Sequence, residues 1–155
     1  VGTERLAAAA TAPLRGRRVA CYYGCQMVRP YATFDDQYAP TSMDRVLRAM
    51  GAETVDWPLK TRCCGGTLTG TIEDVGLRLN YILLREAKKR GADAIATACP
   101  LCQFNLECYQ DKISAVYGAS RLPVLYFSQF MGMALGLSEA RLGIQRNFVP
   151  LAAAV

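Results

Sequence analysis

The sequence predicts an α/β protein built on a parallel sheet of about four strands with helices on both faces. Three observations carry this. Four short runs, "RRVACYYG" (17–24), "ETVDW" (53–57), "DAIATA" (93–98) and "PVLYF" (123–127), recur along the chain. Each is followed by a stretch whose apolar residues return at helical spacing. The first, third and fourth runs are apolar on both alternating positions, as strands buried on both faces are.

Taken in order, residues 1–16 read as a linker or N-terminal arm. The first strand leads into the loop "RPYATFDDQYAP". Met43, Val46, Leu47 and Met50 then mark one helix face, with Thr41 and Asp44 at capping-box spacing and Gly51 as the stop. After the second strand comes "TRCCGG" (61–66). Ile72, Val75, Leu79 and Ile82 form the next stripe, opened by Thr71 with Asp74 and closed by "KKRG". The third strand ends at Cys99, and Pro100 suits a first helical position. Leu101, Phe104 and Cys108 continue one face towards Gly118. The fourth strand passes into "SQFMGMALGL" (128–137), where Gly132 and Gly136 would allow close approach of a neighbouring helix. One domain over 17–149 and a tail over 150–155 fit the length of 155 residues.

Composition narrows the chemistry. Just over half of the residues are apolar and a fifth are charged, which is ordinary globular usage. The net charge of +5 comes from scattered basic residues without a basic-aromatic stripe, so no nucleic-acid partner is expected. The longest uncharged run, Leu122 to Ser138, is shorter than the roughly 20 apolar residues of a membrane span. No secretory leader is visible, and a cytoplasmic location is expected. There is no histidine, which removes Cys/His zinc sites, His-ligated haem and every His general base. Chemistry here has to run on sulfur.

Five of the seven cysteines follow the pattern C-x37-CC-x34-C-x2-C. Cys25 comes just after the first strand, Cys63 and Cys64 after the second, and Cys99 and Cys102 after the third. The carboxyl ends of parallel strands share one edge, where ligands bind. These five thiols are therefore predicted to converge. Cys63 and Cys64 are adjacent, with Cα atoms about 3.8 Å apart, closer than an unstrained disulfide spans. Structural zinc prefers paired C-x2–4-C units and closes with four ligands, leaving one cysteine over. A redox dithiol would use only Cys99 and Cys102. Thiolate-held iron–sulfur clusters offer several irons, and consecutive cysteines in a glycine-loosened loop suit such a target. Cys21, inside the first strand, and Cys108, on the third helix, read as core thiols.

The arrangement resembles the CCG (cysteine-rich) domain of heterodisulfide reductase and the related heterodisulfide reductase-like sulfur-oxidation proteins. The resemblance rests on "YYGCQMVRP" (22–30), "FDD" (34–36), "GAETVDWPLKTRCCGG" (51–66), "CPLCQFNL" (99–106) and "LPVLYFSQ" (122–129). It implies a Rossmann-like CCG domain in which Cys25, Cys63, Cys64, Cys99 and Cys102 bind a non-cubane [4Fe–4S] cluster. It also implies an oxidoreductase acting on disulfide or thiol sulfur as part of a complex. The family's full-length polypeptide carries two such motifs and this chain one, so it looks like the C-terminal half. A second CCG domain and a ferredoxin-like iron–sulfur subunit are the implied partners, and a disulfide or sulfur carrier the implied substrate. Relatives in quinone-linked dehydrogenases imply an alternative, a CCG module for electron transfer or anchoring without substrate chemistry of its own.

Arg29, Lys60 and Arg62 flank the motif, either as a solvated rim or as electrostatic support for thiolates and an anionic substrate. Asp35 and Asp36 read equally as loop caps or proton carriers. Tyr31, Phe34 and Tyr38, with the "SQFMGMALGL" helix, offer apolar surface to a partner.

Overall fold

A computed structural model of the chain describes residues 2–31, 34–118 and 120–151. Four parallel strands, β1 (Arg18–Tyr22), β2 (Glu53–Thr54), β3 (Ala94–Thr97) and β4 (Val124–Tyr126), lie in the order β2-β1-β3-β4. The helices are α1 (Thr3–Ala9), α2 (Ser42–Ala49), α3 (Leu68–Thr71), α4 (Glu73–Lys89), α5 (Pro100–Cys108), α6 (Gln110–Tyr117), α7 (Phe127–Ala134) and α8 (Glu139–Leu142). This is the expected α/β fold, with shorter strands than the apolar runs that announce them.

Alternation along β1 divides the core in two. Ala20 and Tyr22 face α4, α5 and α6, where they meet Leu83, Leu84, Leu106 and Ile113. Val19 and Cys21 face α2 and α7, where they meet Met43, Leu47, Phe130 and Ala134. Helices thus cover both faces, and the central strands are buried almost throughout.

Residues 2–16 pack against the domain. α1 packs on α2, Leu14 is buried, and backbone bonds run from Ala12 to Ala134 and from Leu14 to Met50. Of the tail expected at 150–155, residues 152–155 lie outside the described residues.

Two predicted stripes face the other way. In α4 the buried residues are Gly76, Leu77, Asn80, Leu83, Leu84 and Ala87, while Ile72, Val75 and Ile82 are exposed. In α5 the buried residues are Cys102, Asn105, Leu106 and Glu107, while Leu101 and Phe104 are exposed. Both helices carry apolar residues on two sides, and periodicity alone favoured the side without glycine, asparagine or glutamate. Cys108 is accordingly half-buried rather than a core thiol, whereas Cys21 is fully buried as expected.

Capping also departs from expectation. Neither Thr41 nor Thr71 caps a helix with its side chain. The Asp35 carboxylate instead accepts from the backbone N–H groups of Thr41 and Ser42, at 2.9 and 2.6 Å. The Tyr23 hydroxyl accepts from Met43 N and Asp44 N at 2.9 and 3.2 Å. Asp35 thus caps the start of α2, where the sequence offered a loop cap or a proton carrier. The segment 34–40 is thereby anchored at the start of α2.

Candidate metal centre

From β1 the chain moves to β2 on one side and then crosses to β3 on the other. The topological switch point therefore falls between β1 and β3, where an open sheet of this kind has its crevice. Tyr22 and Thr97 are the last paired residues there, and Cys25 and Cys99 follow within three and two residues.

The CCGG loop reaches the same crevice because Lys60 ties it down. Its carbonyl oxygen accepts from Tyr23 N at 2.9 Å and Gly24 N at 3.0 Å. Its ammonium is buried, 3.6 Å from the Asp44 carboxylate and 3.3 Å from the Pro40 carbonyl. Asp44 also accepts from the Tyr23 hydroxyl at 2.5 Å. Lys60 is thus neither a solvated rim nor a charge aimed at the motif thiols; it is a buried, fully engaged strut. Tyr22 completes the fastening, donating from its hydroxyl to the Arg62 carbonyl at 2.6 Å. Burial, with the surrounding cysteines, pushes the Tyr22 phenol up, which keeps it a neutral donor. Arg29 and Arg62 remain exposed.

All five motif cysteines meet at this edge. Cys25 and Cys63 lie close enough for one thiol to disfavour ionisation of the other. Cys64 lies 3.6 Å from Cys102, sulfur to sulfur, and Cys99 is near enough to disfavour ionisation of Cys102. Every one is a free thiol. Cys64 and Cys102 are buried, Cys25 and Cys99 half-buried, and Cys63 exposed. Among the described residues no group of three or more Cys, Asp or Glu is drawn close enough to hold a single metal ion.

Glycine geometry makes the row possible. Gly65 and Gly66 both have positive φ, 99° and 52°, which turns the chain back directly after the cysteine pair. Gly24 has φ 63°, and a Cβ there would stand 3.1 Å from the Cys102 sulfur. Its bare backbone leaves the space beside that sulfur clear.

Asn105 was passed over in the sequence. Its amide nitrogen lies 2.6 Å from the Gly66 carbonyl and 3.5 Å from the Cys64 sulfur, and its oxygen accepts from the Thr69 hydroxyl at 2.8 Å. One side chain thus spans α5, the CCGG loop and α3. A polar residue three positions after Cys102, on the helix face that must be buried, was the available signal. The Cys102 thiol, the backbone N–H of Gly66, Asn105 and Tyr22 together hold Cys64 at a pKa of about 6, despite burial. Cys102 keeps the shared proton and is shifted up by that bond and by burial. Burial and then the neighbouring Cys63 push Cys25 up as well.

Two openings are lined in part by the segment that follows β1. A hollow of about 560 Å³ beside Cys25 is lined by Gln26, Arg29, Pro30 and Gln37. A smaller cleft of about 190 Å³, almost wholly apolar, is formed by Met27, Phe34, Met43, Val46 and Phe127 with Ser42.

The family of cysteine-rich (CCG) domains matches residues 19–107, the span from β1 into α5 that holds all five thiols. The chain is 32% identical over 149 residues to the 8-methylmenaquinol:fumarate reductase membrane anchor subunit of Wolinella succinogenes, covering 94% of this chain and 52% of the relative. It is 35% identical over 153 residues to a subunit of the ferredoxin:CoB-CoM heterodisulfide reductase of Methanosarcina mazei, covering 96% of this chain and 51% of the relative. The chain therefore spans about half the length of the curated relatives it matches. Among solved structures, a hypothetical protein from Helicobacter pylori superposes with a TM-score of 0.72 at 15% identity, over 97% of this chain and 28% of that one. That likeness shows the fold.

Proposed function

The chain belongs to the cysteine-rich CCG domain family, and from this we propose that Cys25, Cys63, Cys64, Cys99 and Cys102 bind an iron–sulfur cluster, a non-cubane [4Fe–4S] centre, within a heterodisulfide-reductase-like complex. The observation that carries the reading is the convergence of five free thiols, from three distant segments, on one crevice of the sheet. The donor set fits: it is all sulfur, and five ligands spread over a row suit a centre of several irons better than one ion. The cleared space beside Gly24 and the Cys102 sulfur supports the same reading. Bound there, such a cluster would supply one-electron redox chemistry.

The chain's own residues do the rest. Lys60 and Tyr22 hold the CCGG loop against β1, and Asn105 fixes the Cys64 sulfur from the buried side. The hollow at Cys25 gives a disulfide or sulfur-carrier substrate a way in, with Arg29 on its wall. In this reading the chain is the redox part of an oxidoreductase acting on sulfur groups in the cytoplasm. A second CCG domain and a ferredoxin-like iron–sulfur subunit are its partners. Support for partners comes from the half-length match and from the exposed Tyr31, Phe34 and Tyr38 beside the site. The α7 helix, by contrast, buries Phe130, Gly132 and Ala134 in this chain's own core.

The test is anaerobic reconstitution with iron and sulfide, followed by absorption and paramagnetic-resonance spectra. The expected result is a cluster signal with about four irons per chain in the non-cubane form. Stoichiometric zinc uptake without any iron–sulfur signal would overturn the reading.

The apolar cleft favours a second reading, a module linked to quinone, since a quinone ring seeks an apolar slot and one relative is named for a menaquinol-linked reductase. The assembled complex separates the two: disulfide-dependent turnover supports the first, and quinol-dependent turnover with none for disulfides supports the second.

A further inference from the structure

A separate site sits at the opposite edge of the sheet from the thiols. α4 starts beside the cysteine loop, where Gly76 touches Thr69, and ends near the start of β1, where Gly91 meets Arg18. Its last turns, together with the end of α6, enclose a hollow of about 360 Å³. Tyr81, Arg85, Lys88 and Lys89 of α4 line it together with Tyr117, at the end of α6, and Ser120.

Three observations distinguish this from an ordinary basic helix end. First, the cations are unneutralised. Glu86, the carboxylate of these last turns of α4, is already taken by Arg90. Among the described residues Arg85, Lys88 and Lys89 have no carboxylate partner. Second, Ser120 is only 4% exposed, and its hydroxyl has no hydrogen-bond partner. A buried unpaired hydroxyl calls for an explanation, and an acceptor supplied by a ligand is one. Third, the tyrosine pair is rigid. Tyr81 and Tyr117 stack at 4.7 Å between centroids, and the guanidinium groups of Arg78 and Arg85 lie over the rings. Stacking on Tyr81 orients the Arg85 fork before any ligand arrives.

Cations in the last turn of a helix also answer its dipole. That role accounts for Lys88 and Lys89. It does not call for Arg85 a turn earlier, for the hollow, or for Ser120. We propose that this hollow binds a phosphate-bearing small molecule of about the size of pyrophosphate. Three cations match a multiply charged anion, an oriented guanidinium fork matches phosphate oxygens, and Ser120 can donate to one more acceptor. The site lies apart from the thiols, so its fate is independent of the cluster proposal.

Titration of the 155-residue chain with inorganic pyrophosphate, followed by calorimetry, tests it. The expected result is saturable one-to-one binding, weakened about tenfold by Lys89→Glu and several-fold by Ser120→Ala. Arg45→Glu on α2, on the other face of the sheet, removes the same charge and should bind as the parent does. Circular dichroism confirms that each variant is folded. Absence of saturable binding at millimolar pyrophosphate would overturn the proposal, as would equal weakening by Arg45→Glu. Ser120→Ala binding with unchanged affinity would overturn the role given to the hydroxyl.

Discussion

Asn105 holds Cys64 from behind: its amide nitrogen is 3.5 Å from that sulfur while its oxygen is engaged by Thr69. An asparagine with both ends occupied and almost no exposure cannot be lost without leaving buried polar groups unpaired. Asn105→Leu should therefore destabilise the metal-free chain by about 1–3 kcal/mol. Urea denaturation checks this. The same variant, reconstituted with iron and sulfide, should give an altered cluster spectrum; an unchanged one would restrict Asn105 to stability.

The seven cysteines should divide five to two. Cys63→Ser and Cys64→Ser should abolish or alter the reconstituted cluster. Cys21→Ala, in the core between β1 and α2, should leave the spectrum intact and cost about 1 kcal/mol in packing. Cys108→Ala should leave both nearly unchanged, since its side chain is half-buried on α5. Iron content and spectra decide. Loss of iron from a folded Cys108→Ala protein would count against the ligand set.

Asp35 predicts a pH effect. Partial burial alone would raise its pKa, but hydrogen bonds from Ser42, Asp36 and Thr41 outweigh this and hold it below the ordinary 3.8. A depressed folded-state pKa contributes stability that is present above 3.8 and is lost as pH falls through the lower folded value. Asp35→Ala should cost about 1 kcal/mol at neutral pH, the size of a lost helix cap. Thermal melts of parent and variant should converge as the pH is brought below 3.8. A constant gap across that range would show that charge plays no part.

Gly76 sets two effects against each other. Replacing a helix-interior glycine by alanine ordinarily gains about 1 kcal/mol. Here a Cβ would lie 2.5 Å from the Thr69 backbone nitrogen and 2.7 Å from its Cα. Backbone cannot swing aside as a flexible side chain can, so overpacking of about 1–3 kcal/mol should win. Gly76→Ala should lower the melting temperature. It should also disturb the cysteine edge, since Thr69 is the residue that braces Asn105.

The sheet and the thiol row were legible because both are written in strong local terms. Apolar runs mark strands, and cysteines placed soon after three of them gather on one edge of a parallel sheet. What was missed depends on partners distant in sequence. The inward face of α4 includes Gly76 and Asn80, chosen for contacts with Thr69 and a backbone carbonyl rather than for hydropathy. Thr41 had the spacing of a cap, but Asp35 and Tyr23 reached the N–H groups at that helix end first. Lys60 reads from its neighbours as rim or as support for thiolates, and Asp44 and Pro40, which enclose it, lie far off in sequence.

The order of the strands also governs when the thiols can first meet. Cys25 follows β1 and Cys102 follows β3, about half the chain later, and nothing local draws them together. Contacts of such long sequence separation form late, after loop closure has been met. Until β3 has docked on β1, Cys25, Cys63 and Cys64 are kept apart from Cys99 and Cys102, and each thiol stays open to oxidation or to the wrong partner. In the proposed role, assembly of a cluster at this edge would wait for β3 and α5, and iron delivered earlier would find only the cysteines of the first two segments.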